Sequence, residues 1–199
     1  MVPDLVMDYF DEDIRLMLQF QDGEESCFEQ LVERHKNRVF NLAYRFLGNY
    51  EEAEDLAQEV FIKIYRAKNT YIPKAKFTTW LYAICKNTCL KKLRKKRPKI
   101  VSLHDQIELQ EGTVTHQIAD SHIPSPSVLT LNNEQTLVVK EAIDSLPVNQ
   151  KMAVILYRYD QLSYAEIAKV IGCSIKAVKS LLHRAKINLK EKLAEYFKI

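Results

Sequence analysis

The charge of this chain changes abruptly near residue 99, and that break limits what the rest can fold into. Residues 86 to 99 hold eight Lys or Arg and no acid, whereas residues 100 to 130 hold no Lys or Arg and four acids, Asp105, Glu108, Glu111 and Asp120. The second block also carries Gly112 and the run Ile123-Pro-Ser-Pro-Ser127. Each proline there removes a backbone donor and pushes the residue before it toward extended conformation, so no helix is expected to propagate through the segment. Residues 99–130 therefore read as a flexible linker between two units, 1–98 and 131–199, each long enough to bury a modest core.

Both units read as helical. Four glycines and six prolines in 199 residues leave little material for hairpin turns. Apolar residues recur at helical spacing through Phe28, Leu31, Val32, Val39, Leu42, Ala43 and Phe46, and again through Ala53, Leu56, Ala57, Val60, Phe61 and Ile64. A third stretch runs through Phe77, Trp80, Leu81 and Ile84. Gly23 and Gly48 fall between such runs, where helix ends use them, and Pro73 opens a loop. Beyond the linker, helices are expected at about 131–144, 148–159, 163–171 and 174–196. The expected fold class is all-α, two small helical domains on a tether.

Several function classes are disfavoured at once. No apolar run approaches the roughly 20 residues of a membrane span. The acidic start, with Asp8, Asp11, Glu12 and Asp13, is the opposite of a signal peptide's basic leader. A cytoplasmic protein without membrane insertion is expected. Cysteines 27, 85, 89 and 173 have no CxxC spacing, and in a reducing compartment they read as plain thiols. No metal or other cofactor is expected. The net charge of +3 is too small to imply nucleic acid, so that reading must rest on where the charge lies.

In the C-terminal unit, Ser163-Tyr-Ala-Glu166 is a capping-box sequence, with a hydroxyl and a carboxylate placed to satisfy each other's backbone amides. The helix it starts runs through Ile167, Ala168 and Ile171 to Gly172, after which Ser174 caps a second helix. The second helix has an apolar stripe of Val178, Leu181, Leu182, Ala185 and Leu189. Ser174, Lys176, Lys179, Ser180, His183 and Arg184 project from its other faces near the N-terminal end, the end that usually enters the major groove. Seven Lys or Arg stand against two acids over 163–192. A helix-turn-helix and a plain helical hairpin with a solvated basic face both fit, and the cap, small-residue turn and basic second helix favour the former.

In the N-terminal unit, the helix over 51–65 carries Glu51, Glu52, Glu54, Asp55, Gln58 and Glu59 opposite its apolar arc. Such a face is either solvated surface or a dock for a basic partner. A carboxylate metal site would need inward-facing acids and a Glu-x-x-His pair, and neither is offered. The helix from Phe77 to Arg97 ends in Lys91-Lys-Leu-Arg-Lys-Lys-Arg97, more cations than the helix dipole calls for. Upstream, Thr78, Thr79, Tyr82, Lys86 and Asn87 are expected to give an exposed polar and aromatic face suited to unpaired bases.

These segments resemble the extracytoplasmic-function (ECF) sigma factors of bacterial RNA polymerase, part of the sigma-70 family. Phe28-Glu-Gln-Leu-Val-Glu-Arg34 through Arg38-Val-Phe-Asn-Leu-Ala43 is similar to region 2.1, and Glu51-Glu-Ala-Glu-Asp-Leu-Ala-Gln-Glu-Val-Phe61 to region 2.2. Phe77-Thr-Thr-Trp-Leu-Tyr-Ala-Ile84 with Asn87 resembles regions 2.3 and 2.4, and Leu146-Pro through Ala185 resembles region 4. The resemblance implies a non-catalytic initiation factor, often of stress responses, that binds core polymerase and promoter DNA and is held inactive by an anti-sigma factor. It implies that Glu54, Asp55, Gln58 and Glu59 dock on the β′ clamp, with a further contact to the β flap. It implies that the loop 72–76 with Lys74 and Lys76, and the helix with Thr79, Tyr82, Lys86, Asn87, Lys91, Arg94 and Lys95, recognise and melt the minus-ten element. The helix from Ser174 would read the minus-thirty-five element, and the acidic linker would thread a cationic polymerase channel. Lys91 stands where family members often carry Asp, which bears on minus-ten specificity.

Overall fold

The computed structural model describes residues 11–96 and 130–197. Among them the regular elements are α1 (Glu12–Gln21), α2 (Glu25–Leu47), α3 (Tyr50–Arg66), a short 3-10 turn (Lys68–Thr70), α4 (Phe77–Lys96), α5 (Thr130–Asp144), α6 (Val148–Arg158), α7 (Tyr164–Ile171) and α8 (Ile175–Phe197). The all-helical expectation holds for these residues. The expected linker lies outside them except at Thr130, as does Arg97 at the end of the basic run.

Local chemistry explains the helix ends. Gly48 closes α2 in the left-handed conformation (φ 78°), with its N–H donating to the Tyr44 carbonyl. Asn49 then caps α3, its Oδ1 accepting from the Glu52 N–H at 2.8 Å. Helix α1 has no counterpart in the sequence reading, which took the acids near it only as the opposite of a basic leader. Asp11 is its cap, Oδ1 accepting from the Asp13 N–H at 3.1 Å. Ile14, Leu16, Met17 and Phe20 are its buried stripe.

Helix α1 also brings a charge into the core. Asp13 Oδ2 lies 2.8 Å from His35 Nε2 on α2, and both side chains are buried. Arg34 Nε approaches Asp13 Oδ1 to 3.0 Å as an ion pair, without hydrogen-bond alignment. Burial alone would raise the Asp13 carboxyl. The His35 hydrogen bond and the charges of His35, Arg34 and Arg38 outweigh that and hold it below its ordinary value.

The two units are not separate in space. Helix α6 lies against α2, and α7 lies across α4. One apolar cluster runs unbroken from Ile14 in α1 through Leu56, Phe77 and Cys85 to Ile155, Ile167 and Val178. Lys151 of α6 is 9% exposed, and its Nζ donates to the Phe46 carbonyl in the last turn of α2 at 2.7 Å while pairing with Asp144 at 2.7 Å. A helix leaves its last carbonyls without partners of its own, and here the other unit supplies one.

Candidate nucleic-acid interface

Helices α7 and α8 form the helix-turn-helix. Glu166 Oε2 accepts from the Ser163 N–H at 2.9 Å and from the Ser163 hydroxyl at 2.7 Å, and Ser163 Oγ accepts from the Glu166 N–H at 3.3 Å. The Ser163 hydrogen bond, with Lys76 nearby, pulls the Glu166 carboxyl down to about 2 against the opposing effect of burial. Gly172 ends α7 at φ 83°, and its N–H reaches the Ala168 carbonyl. Ser174 Oγ accepts from the Ala177 N–H at 3.2 Å, starting α8. Val178 and Ala185 are fully buried, with Leu181, Leu182 and Leu189 half-buried beside them. Ser174, Lys176, Lys179, Ser180, His183 and Arg184 all lie exposed at the N-terminal half of α8.

Helix α4 departs from expectation in one half and agrees in the other. Asn87, Lys91, Arg94 and Lys95 are exposed, as are Lys74 and Lys76 in the loop before it. Thr79 and Tyr82 are buried, at 6% and 3%, and Lys86 and Thr78 are half-buried, so the expected exposed polar and aromatic face is overturned at these residues. For Tyr82 and Lys86 the physical reason is α7 and the turn before it. The Tyr82 hydroxyl donates to Asp160 Oδ1 at 3.1 Å, and Lys86 Nζ donates to the Ile171 carbonyl at the C-terminus of α7 at 3.2 Å. A lysine there satisfies an orphan carbonyl at the negative end of a helix dipole. Lys76 adds an ion pair to Glu166 at 2.9 Å.

That junction is electrostatically unusual. Burial raises the Asp160 carboxyl above its ordinary value against the pull of Tyr82, Arg45 and Arg38, and its Oδ2 is buried without a hydrogen-bond partner. Burial and the Asp160 charge push the Tyr82 hydroxyl well up. Burial pushes the Lys86 ammonium down. Arg45 of α2 stacks over the Tyr159 ring at 4.4 Å.

On α3, Glu54, Asp55 and Gln58 are exposed and Glu59 is half-buried. A hydrogen bond from Lys63, 2.8 Å away, outweighs burial and lowers the Glu59 carboxyl. Lys63 also donates to Thr88 Oγ1 of α4 at 2.8 Å. Lys92 turns back from the basic run, donating to the Glu52 carbonyl at 2.9 Å and lying 3.7 Å from Asp55. Sequence reasoning missed these links between the acidic and basic helices. The Glu59-to-Lys63 spacing of four was a usable signal for the pair within α3, but nothing in the sequence marked the Lys63–Thr88 bond or Lys92.

Residues 31–99 match the family model described as Sigma-70 region 2, and residues 136–189 match the one described as Sigma-70, region 4. The ECF RNA polymerase sigma factor SigW of Bacillus subtilis (strain 168) is 32% identical over 179 residues, covering 89% of this chain and 94% of that protein. The chain belongs to the sigma-70 family. The ECF RNA polymerase sigma-E factor of Escherichia coli (strain K12) is 33% identical over 180 residues, covering 89% of this chain and 92% of that protein. The fold is likewise that of CnrH, solved in complex with the cytosolic domain of CnrY, with a TM-score of 0.69 at 22% identity over 94% of this chain and 99% of that one. The sigma factor RpoE, solved with the anti-sigma factor NepR from Bartonella quintana, gives a TM-score of 0.59 at 22% identity over 83% of this chain and 96% of that one. This sigma factor is of the ECF type, a transcription initiation factor and not an enzyme. No helix of the described residues is long and apolar enough to cross a membrane.

Proposed function

We propose that this sigma factor works in the cytoplasm by docking α3 on the β′ clamp of core polymerase and spanning two promoter elements with its two units. Residues 1–98 form the polymerase- and minus-ten-binding unit, 131–199 the minus-thirty-five-binding unit, and 99–130 the connection between them. Glu54, Asp55, Gln58 and Glu59 supply the docking face. Lys74, Lys76, Asn87, Lys91, Arg94 and Lys95 contact and help melt the minus-ten region, joined by Thr79, Tyr82 and Lys86 once uncovered. Ser174, Lys176, Lys179, Ser180, His183 and Arg184 read the minus-thirty-five element, and the same unit touches the β flap. An anti-sigma factor is the expected inhibitor.

The observation that carries this reading is the segregation of charge among exposed residues: acids on α3, cations on the second half of α4 and on the start of α8. Phosphate attraction positions a protein on DNA, whereas an acidic face repels it and suits a basic protein partner. Transcription in vitro with purified core enzyme and fragmented genomic DNA, followed by sequencing of the transcripts, tests it. Transcripts that start at a shared pair of upstream elements only when the chain is added are expected. Tight sequence-specific DNA binding by the chain alone, with no transcripts, would instead identify a stand-alone regulator.

A further inference from the structure

Among the described cations of the basic run, one turns inward. Lys91, Arg94 and Lys95 are exposed, whereas the Lys92 side chain is 24% exposed and its Nζ donates to the Glu52 carbonyl of α3 at 2.9 Å. At about 100° per residue, Asn87, Lys91, Arg94 and Lys95 share one arc of α4 about 100° wide, and Lys92 stands outside it. We propose that Lys92 is a positioning residue: its bond to the first turn of α3 fixes the rotation of the last turns of α4 and so aims Asn87, Lys91, Arg94 and Lys95 at the opened promoter. The aiming rests on the promoter contacts assigned to those four residues under the proposed function.

The packing of α4 explains why a polar tie matters there. Cys89 is the last fully buried side chain of the helix among the described residues, and beyond it Leu90 and Leu93 pack half-buried against the core. Apolar contact has no direction, so two leucines hold the helix down without setting its rotation. Upstream, Lys63 sets it through Thr88, the residue after Asn87, at 2.8 Å. Lys92 repeats the tie one turn later. On a helix whose side chains reach about 5–6 Å from the axis, a turn of about 20° carries their ends about 2 Å, beyond what a hydrogen bond tolerates. The tie is also independent of docking. Asp55 is 78% exposed and 3.7 Å from Lys92, an ion pair that contributes little in water. The Glu52 carbonyl belongs to the backbone and has a second lone pair beyond its own helix bond. A partner that takes the Asp55 side chain therefore leaves Lys92 in place. The dipole of α3 does not draw the cation there, because the first turn is its positive end.

The test uses holoenzyme assembled from core polymerase and the full chain, on a promoter from which it initiates. Lys92→Met keeps the stem and removes the donor, Lys92→Arg keeps a cationic donor, and Lys95→Met removes an exposed cation on the arc. Two quantities are read: the salt dependence of promoter binding, and the rate of strand opening from the permanganate reactivity of unpaired thymines. Lys95→Met should flatten the salt slope by about 0.7–0.9, the loss of one phosphate contact. Lys92→Met should leave the slope unchanged and slow opening about ten-fold, the share of one charge-assisted hydrogen bond. Lys92→Arg should restore the rate. If Lys92→Met loses helix by circular dichroism, Lys92→Gln, too short to reach the carbonyl, takes its place with the same expectation.

A slope that flattens in Lys92→Met as much as in Lys95→Met makes Lys92 a phosphate contact and overturns the positioning role. So does an opening rate that Lys92→Met leaves unchanged, or one that Lys92→Arg fails to restore, while Lys95→Met behaves as expected. A different failure is read from replacing Asn87, Lys91, Arg94 and Lys95 together by Ala: no change in slope or opening retires the promoter role of α4 itself, and the positioning role falls with it.

Discussion

Replacing Asp13 by Asn should destabilise the protein by about 2 kcal/mol, and the figure follows from the geometry of α1 on α2. The substitution conserves volume, so no cavity is created. It removes the charge that faces His35 at 2.8 Å and Arg34 at 3.0 Å. A buried hydrogen bond to a charged group is worth about 1.5–3 kcal/mol, and the Asn carbonyl recovers part of it. The Arg34 side chain is 43% exposed, so its share is that of a surface pair, about 0–1 kcal/mol. With a urea dependence near 2 kcal/mol per molar, the midpoint should fall by about 1 M. Glu12→Gln is the control. It breaks an Arg34 contact of 2.6 Å between half-exposed side chains and should shift the midpoint by less than about 0.4 M. Urea unfolding followed by circular dichroism at pH 7 reads both. Equal shifts from the two variants, or a shift under about 0.3 M from Asp13→Asn, would refute the view that the buried pair, rather than surface charge, holds α1 in place.

Three other outcomes are expected. Gly172→Ala forces a side chain into φ 83° where the added carbon meets nothing, so backbone strain alone acts; a cost of about 1–2 kcal/mol should lower the calorimetric midpoint by about 2–8 °C. Acid should strengthen the packing of α7 on α4: Asp160, raised by burial against Tyr82, Arg45 and Arg38, holds its proton better in the junction than in water. The packing therefore gains as pH falls through the raised value toward 3.8 and loses as pH rises through it. The Lys76–Glu166 pair keeps its charge until about pH 2, so urea unfolding along a pH series from 7 down toward 3.8 should show the wild type gaining stability relative to Asp160→Asn as the carboxyl takes up its proton, and a constant difference between the two would refute it. Removing both Lys179 and Arg184 should flatten the salt dependence of holoenzyme binding to a promoter duplex by a slope of about 2, at roughly 0.9 per lost phosphate contact, with core binding intact; an unchanged slope would show that neither side chain touches a phosphate.

What the sequence made legible was what neighbours along the chain decide. The capping box at Ser163, the left-handed turn at Gly172, the serine cap at Ser174 and the amphipathic arcs of α2 and α3 each need only a few consecutive residues, and each stands where expected. Tyr82 and Lys86 were misjudged because their surroundings come from residues 78 and 85 positions away. On an isolated α4 their polar atoms would face water; α7 turns the same face into an interior. Helix α1 was missed for a different reason. Its stripe of Ile14, Met17 and Phe20 has helical spacing, but the acids at its start were weighed only against a basic leader, and Asp11 as a cap and Asp13 as a buried partner stood unmarked among the six acids between residues 8 and 24. The acidic face of α3 was legible as a pattern and ambiguous as a function until the family resemblance gave it a partner.

The bond from Lys151 to Phe46 spans 105 residues, and this sets an order in time. Helices α1 to α4 have the partners they find among themselves, including Asp13 with His35 and Lys63 with Thr88, before Lys151 has been synthesised. At a ribosomal pace of about 5–20 residues per second, the end of α2 and the face of α4 that bears Tyr82 stay wet for roughly 5–20 seconds in each newborn chain. Closing so long a loop also costs entropy that local helix contacts do not. The packing of α6 on α2 and of α7 on α4 is thus the last part of this core to form.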